Sequence, residues 1–309
     1  MYLGIDLGTS ALKAVLLADD GRIVAQQSAP LEVSRPHPQW SEQSPADWWR
    51  ALTIALAELA RGHAGAMRAV RAIGLSGQMH GAVLLAAAGE VLHPAMLWND
   101  GRSEPQCAEL TERVPRLAQV AGNRAMPGFT APELLWVHDH PPQVFAKTVK
   151  VLLPKDWLRF KPSGEFFGDC SDASGTLWLD VGACDGSDEL LAACGLTRAQ
   201  MPALVEGSAP PGRLNRNVAD GFGLNAGLVI AGGGDNAASA AGMGATAPGD
   251  GFVSLGTSGV VVPCSDRFLP RPGSAVLAFC HAGAARGVDG APFAVQGAPS
   301  VDEGQLPAS

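Results

Sequence analysis

Short apolar-rich runs with few polar interruptions over residues 2–6, 11–18 and 22–31 read as three successive strands. Asp20-Gly21, between the second and third, is a hairpin signal, because both residues tolerate the backbone of a tight turn. The pattern then changes. Ser44 is placed to cap a helix, Pro45 suits its first position and Asp47 its first turn. Trp48, Leu52, Leu56 and Leu59 follow at helical spacing, a core stripe in which each residue contributes about 1.5–3 kcal/mol on burial. Further strands are expected over 70–79, 82–86 and 91–98, and helices from about Ser103, over 131–140 and over 188–193. The apolar run 228–231 enters Gly232-Gly233-Gly234-Asp235 and a small-residue helix over 236–242. Strands at 249–259 and 260–264 repeat the opening pattern, so the class is α/β with a recurring meander. After about Gly283 no period is sustained.

Composition narrows the function classes. The 309 residues suffice for two domains, and 47% hydrophobic content is that of a globular chain. A formal charge of −8 offers no basic stripe for nucleic acid, and no apolar run reaches the roughly 20 residues of a membrane span. The chain opens directly on a strand, and its six cysteines show no Cys-x-x-Cys spacing. Reduced thiols and a cytoplasmic location are therefore expected, without structural zinc.

The candidate chemistry lies in two loops of nearly the same wording, Asp6-Leu-Gly-Thr-Ser10 and Ser254-Leu-Gly-Thr-Ser-Gly259, each following a strand-like run. Glycine lets such a loop turn with φ > 0, so that N–H groups and hydroxyls converge on an anion. Gly8, Thr9 and Ser10 in one copy, and Gly256, Thr257 and Ser258 in the other, are thus candidates for gripping a polyphosphate from two sides. Asp235, after three glycines, either caps the helix that follows it or presents a carboxylate to a ligand; spacing alone does not choose.

Those loops, with Gly74-Leu-Ser-Gly-Gln-Met-His-Gly81, Leu97-Trp-Asn-Asp-Gly-Arg102, Met126-Pro-Gly-Phe-Thr-Ala-Pro132, Leu153-Pro-Lys-Asp156, Asp172-Ala-Ser-Gly-Thr176 and Gly232-Gly-Gly-Asp-Asn236, resemble the FGGY carbohydrate kinases in order from residue 1 to about 282. The resemblance implies an actin-like (ribonuclease H-like) ATPase fold, with a first domain over 1–225 and the start of an ATP-binding domain over 226–285. Residues 286–309 are expected to be an irregular, non-native tail. The family is longer than this chain, so the second domain is expected to be incomplete, with the adenine-binding segment lying beyond residue 309. The activity implied is transfer of the γ-phosphate of ATP to a sugar hydroxyl. The wording around Met79 and Trp98 points to the 5-hydroxyl of D-xylulose; L-ribulose, gluconate or glycerol, or an inactive actin-like fragment, are the alternatives.

The resemblance makes Asp235 the general base and Asp6 a carboxylate for hydrated Mg²⁺ on the phosphates. It assigns Gln78, Met79, His80, Trp98, Asn99, Asp100 and Asn236 to the sugar. The partners implied are a small sugar and ATP, with neither nucleic acid nor membrane; a homodimer is one assembly it allows. Arg102 can order its loop instead of binding sugar. Glu133 departs from the family pattern, which normally has lysine there.

Overall fold

The computed structural model describes residues 1–209, 212–225, 228–229, 232–255, 259–271, 273, 276–283 and 293–297. The opening meander forms as expected: β1 (Tyr2–Leu7), β2 (Ala11–Leu17) and β3 (Ile23–Pro30) are antiparallel neighbours. Leu3, Ile5 and Leu7 of β1 and Leu12, Ala14 and Leu16 of β2 point to one buried face. Gly21, with φ 82°, turns the chain between β2 and β3.

Helix α1 (Pro45–Arg68) covers that face, and Trp48, Leu52, Leu56 and Leu59 are buried as the stripe requires. Ser44 occupies the capping position, but its side chain makes no capping bond. Pro45 and Asp47, suited to an N-terminal turn, are the remaining start signals. The next strand, β4 (Ala72–Gly77), lies parallel to β1 on the side away from β2. This antiparallel meander with a parallel strand beside it belongs to the actin-like α/β fold.

The strand expected over 91–98 shrinks to Ala95–Met96 and a lone bridge from Val91 to Leu85. Pro94 between them cannot donate to a ladder. A second core gathers Leu110, Leu134, Leu135, Leu177, Leu190 and Leu191, packing helix α2 (Thr130–Asp139) among its neighbours.

Three short strands complete the first sheet, one of them, Gly212–Arg213, lying antiparallel at its edge beside Leu228–Val229. Leu228–Val229 (β5) and Gly233–Gly234 (β6) both run parallel to β4. The first sheet therefore continues past the boundary expected at 225. Helix α3 (Asp235–Gly242) follows directly.

A separate four-stranded antiparallel sheet contains β7 (Gly251–Leu255), β8 (Gly259–Ser265), β9 (Val276–Cys280) and β10 (Phe293–Gly297), in the order β7-β8-β10-β9. Only the first hairpin of the expected repeat, β7 with β8, recurs; β10 comes between β8 and β9, so the sheet is not a second copy of the opening meander. The tail expected to be irregular over 286–309 contains β10, which is a correction. Phe293 and Val295 suit a strand, and pairing on both sides with β8 and β9 satisfies its backbone groups. The rest of 286–309 lies outside the described residues. Among the described residues no helix is long and apolar enough to cross a membrane.

Candidate active site

Three parallel strands end side by side. Leu7 of β1 is in register with Gly77 of β4, and Gly77 with Gly234 of β6. The carboxyl ends of parallel strands are where open α/β sheets leave a crevice for ligands. The first strand delivers Gly8, Thr9 and Ser10 there, the second Gln78, Met79 and His80, and the third Asp235 and Asn236.

Asp235 is the first residue of α3, one position inside the cap formed by Gly234, and its Oδ1 accepts the N–H of Asn236 at 2.7 Å. The capping alternative therefore moves to Gly234. Burial, reinforced by the negative charge of Asp6, pushes the Asp235 carboxyl up to about 6. A carboxylate that titrates there is ionised at neutral pH and retains affinity for a proton, as a general base requires. Gly232 is needed to reach this place. It has φ 81°, and a Cβ on it would lie 1.7 Å from the Leu75 carbonyl oxygen. A Cβ on Gly234 would meet Met79 Sδ at 2.8 Å, so Met79 packs directly against the residue that precedes Asp235.

The first loop closes more tightly than glycine alone explains. Gly8 N–H donates to the Ala11 carbonyl at 3.1 Å, and Gly8 is not among the positive-φ glycines, contrary to the expectation that its φ makes the turn. Thr9 Oγ1 donates to Gln78 Oε1 at 3.0 Å and accepts from Trp98 Nε1 at 3.1 Å. Gln78 Nε2 donates to Gln43 Oε1 at 3.1 Å, which also accepts Trp48 Nε1 at 2.9 Å. Gln78 is buried and ties the loop to the α1 core, so it holds the site rather than opening onto it. Ser10 is exposed, and Asp6 is half-buried beside the loop. Gly256, Thr257 and Ser258 lie outside the described residues.

His80 has φ 78°, a left-handed backbone that a side chain rarely adopts, and its carbonyl accepts Thr130 Oγ1 at 2.6 Å. Its Nδ1 lies 2.9 Å from the Gly175 carbonyl, which only an N–H can satisfy, so Nε2 is left as the ring's acceptor. Burial lowers its pKa to about 4, keeping the ring neutral and able to accept a hydroxyl proton's hydrogen bond. The ring lies 4.2 Å from that of Phe129.

The Trp98 segment divides. Trp98 and Asn99 are exposed and available to a ligand. Asp100, expected to line the sugar pocket, is buried instead. Its oxygens accept Ser41 N–H at 2.6 Å and the Arg102 backbone N–H at 2.9 Å, and Arg102 Nη2 pairs with it at 2.6 Å. Arg102 also holds Glu42 at 2.9 Å and lies 3.6 Å over the Trp40 ring. Both residues thus order the loop.

Glu133 is buried in α2; its Oε2 accepts Ala82 N–H at 3.3 Å, while Oε1 has no partner. Desolvation raises its pKa well above the usual range. It supports the His80 loop from behind. Sequence reasoning gave no role to Gln43, Thr130, Gly175 or Ser171, although Gly175 and its neighbours lay in a quoted motif.

This chain belongs to the FGGY family of carbohydrate kinases, whose N-terminal domain matches residues 1–242. It is 53% identical over 282 residues to a xylulose kinase of Escherichia coli K12, covering 91% of this chain and 58% of that protein. The chain therefore spans under two thirds of the length of that relative. A solved "xyloylose kinase" of Brucella ovis superposes with a TM-score of 0.92 at 49% identity, over 96% of this chain and 60% of that one. A gluconate kinase of Lactobacillus acidophilus shares the fold, with a TM-score of 0.87 at 22% identity over 96% of this chain and 59% of that one.

Proposed function

We propose that this chain works in an ATP-dependent kinase that transfers the γ-phosphoryl group to the 5-hydroxyl of D-xylulose, giving D-xylulose 5-phosphate and ADP. The observation that carries the reading is Asp235 at the strand-end crevice, with its carboxyl raised to about 6 and with Met79 packed against Gly234. In the reaction the Asp235 carboxylate takes the hydroxyl proton as the sugar oxygen bonds to the γ-phosphorus and the bond to the bridging oxygen breaks. Neutral His80, with Nε2 unprotonated, orients a sugar hydroxyl by accepting its hydrogen bond. Identities of 53% and 49% to xylulose-type kinases support the pentulose, whereas gluconate rests on a shared fold.

The residues present fit Mg²⁺ on the phosphates. Asp6 adds negative charge beside Asp235, and neither carboxylate has an ion-pair partner among the described residues. No cluster of three or more His, Cys, Asp or Glu able to hold a metal occurs among the described residues. That suits an ion carried mainly by phosphate and water, with Asp6 as its protein contact. Bound there, the ion would neutralise phosphate charge.

An ATP-coupled assay against D-xylulose, L-ribulose, gluconate and glycerol tests the assignment, with the highest kcat/KM expected for D-xylulose. Turnover should rise as pH increases through about 6, where Asp235 loses its proton. Asp235→Asn should lower kcat by roughly 10²–10⁴-fold while sugar binding persists. A preference for gluconate or glycerol overturns the sugar, and near-normal kcat in Asp235→Asn overturns the base.

A further inference from the structure

Beneath the strand ends lies a buried ionic cluster that the reaction above does not use. Lys155, in the first turn of the helix Pro154–Ser163, has no exposed surface. Its ammonium group lies 2.6 Å from Asp156 Oδ1, 2.6 Å from Asp169 Oδ2 and 3.2 Å from Asp172 Oδ2. Arg159 approaches Asp156 at 3.7 Å. Three carboxylates thus face two cations. Among the described residues Asp172 has only the Lys155 ammonium beside its oxygens, and burial raises its pKa well above the ordinary range. Buried charge of this kind costs several kcal/mol in desolvation and is weak evidence for stability on its own. Its connections give it a purpose.

Asp169 Oδ1 accepts the N–H of Ser171 at 2.9 Å, the N–H of Asp172 at 3.2 Å and the hydroxyl of Ser171. Because that hydroxyl proton is committed to Asp169, Ser171 Oγ turns a lone pair to Gly234 N–H, 3.3 Å away. Gly234 immediately precedes Asp235. At the other end of the cluster, Lys155 Cβ lies 3.3 Å from where a Cβ on Gly77 would sit, at the end of β4. The same turn continues to Gly175, whose carbonyl holds His80, and Ser174 Oγ accepts Cys280 N–H from β9 at 3.0 Å.

We propose that Lys155, Asp169 and Ser171 form a positioning relay that fixes the end of β6, and with it the Asp235 carboxylate, against the His80 loop. The inference deepens the kinase reading and rests on it. The lysine fixes Asp169, Asp169 sets the rotor of Ser171, and Ser171 anchors the backbone that aims the base. None of the three touches a reacting atom. A neutral packing core would fill the same volume without selecting one orientation of the serine hydroxyl.

Ser171→Ala removes one oxygen from a buried site and leaves every ion pair in place. The test is a ¹³C-carboxyl NMR pH titration of the whole chain, with the Asp235 signal assigned by its loss in Asp235→Asn. In the wild type that signal should titrate near 6. In Ser171→Ala the released strand end admits water, and the midpoint should fall by about half a unit or more, with the unfolding temperature close to that of the wild type. Sugar turnover should fall by about tenfold in kcat, with KM for sugar little changed, as expected for a misaimed base. Asp169→Asn, which disconnects Ser171 from Lys155, should shift the same signal if it folds. A wild-type midpoint near 6 that Ser171→Ala leaves unmoved, with unchanged kcat, overturns the relay and spares the kinase reading. An Asp235 midpoint in the ordinary carboxylate range overturns the raised carboxyl of the kinase reading, and the relay then stands or falls on the kcat of Ser171→Ala.

Discussion

Glu133 is the clearest place to weigh a single buried charge. It stands in α2 behind the His80 loop with no exposed surface; one oxygen accepts the Ala82 N–H and the other has no partner. Desolvation dominates, and the negative charge of Asp100 adds to it, while the Ala82 N–H and Arg102 oppose it. The folded-state pKa is therefore raised above the unfolded value of 4.5. The sign follows from proton counting. Below 4.5 both states hold the proton and the group has no effect on the pH dependence. Above it the unfolded chain releases the proton while the folded chain keeps it, so stability falls until the folded pKa is passed. Each pH unit crossed costs about 1.4 kcal/mol. Glu133→Gln keeps an acceptor for Ala82 and cannot ionise. It should match the wild type near pH 5 and become progressively more stable than it towards pH 8, by about 1.4 kcal/mol per unit until the wild-type carboxyl ionises. Urea unfolding at unit pH intervals measures the difference. A gap that stays constant across that range refutes the buried acid, and a gap that narrows with rising pH reverses its sign.

Two further perturbations probe the site's supports. His80 is neutral in the folded state with a pKa of about 4 against 6.5 unperturbed, so stability should fall as pH drops from 6.5 towards 4 by about 1.4 kcal/mol per unit. His80→Asn should flatten that limb in thermal melts, and an unchanged slope would place the lost proton elsewhere. Asp100→Ala strips the buried Arg102 of its closest carboxylate and should cost about 3–5 kcal/mol in urea unfolding. A loss within about 0.5 kcal/mol, together with lost sugar affinity, would return Asp100 to the pocket.

Much of the scaffold was legible because it rests on local pattern. The apolar runs of β1 and β2 and the helical stripe from Trp48 to Leu59 each supply one buried face. The loops at the strand ends were legible through family wording. Less legible were features decided by residues far apart in the chain. Asp100 reads as a sugar ligand from its neighbours, but Ser41 and Glu42, some sixty positions earlier, supply the contacts that turn it and Arg102 inward. Gln78 reads as a ligand until Thr9 and Gln43 are found to occupy its amide. Strands of two residues, such as Gly233–Gly234, have too little sequence for a period to be seen, yet this one leads directly into Asp235.

The site therefore depends on register more than on any one side chain. A one-residue slip of Gly233–Gly234 against β4 would move Asp235 by a residue's rise, about 3.3 Å, more than the proposed proton transfer would tolerate. Nothing in the two glycines themselves resists such a slip, since they have no side chains to interlock. Resistance comes from beside the strand: Gly232 fits only with its left-handed turn under the Leu75 carbonyl, Met79 fills the space over Gly234, and Ser171 holds the Gly234 N–H. Glycine gives the close approach and surrenders positional control, and the buried residues around it restore that control. On this argument, substitutions that leave Asp235 intact but loosen its surroundings should lower turnover before they lower sugar affinity.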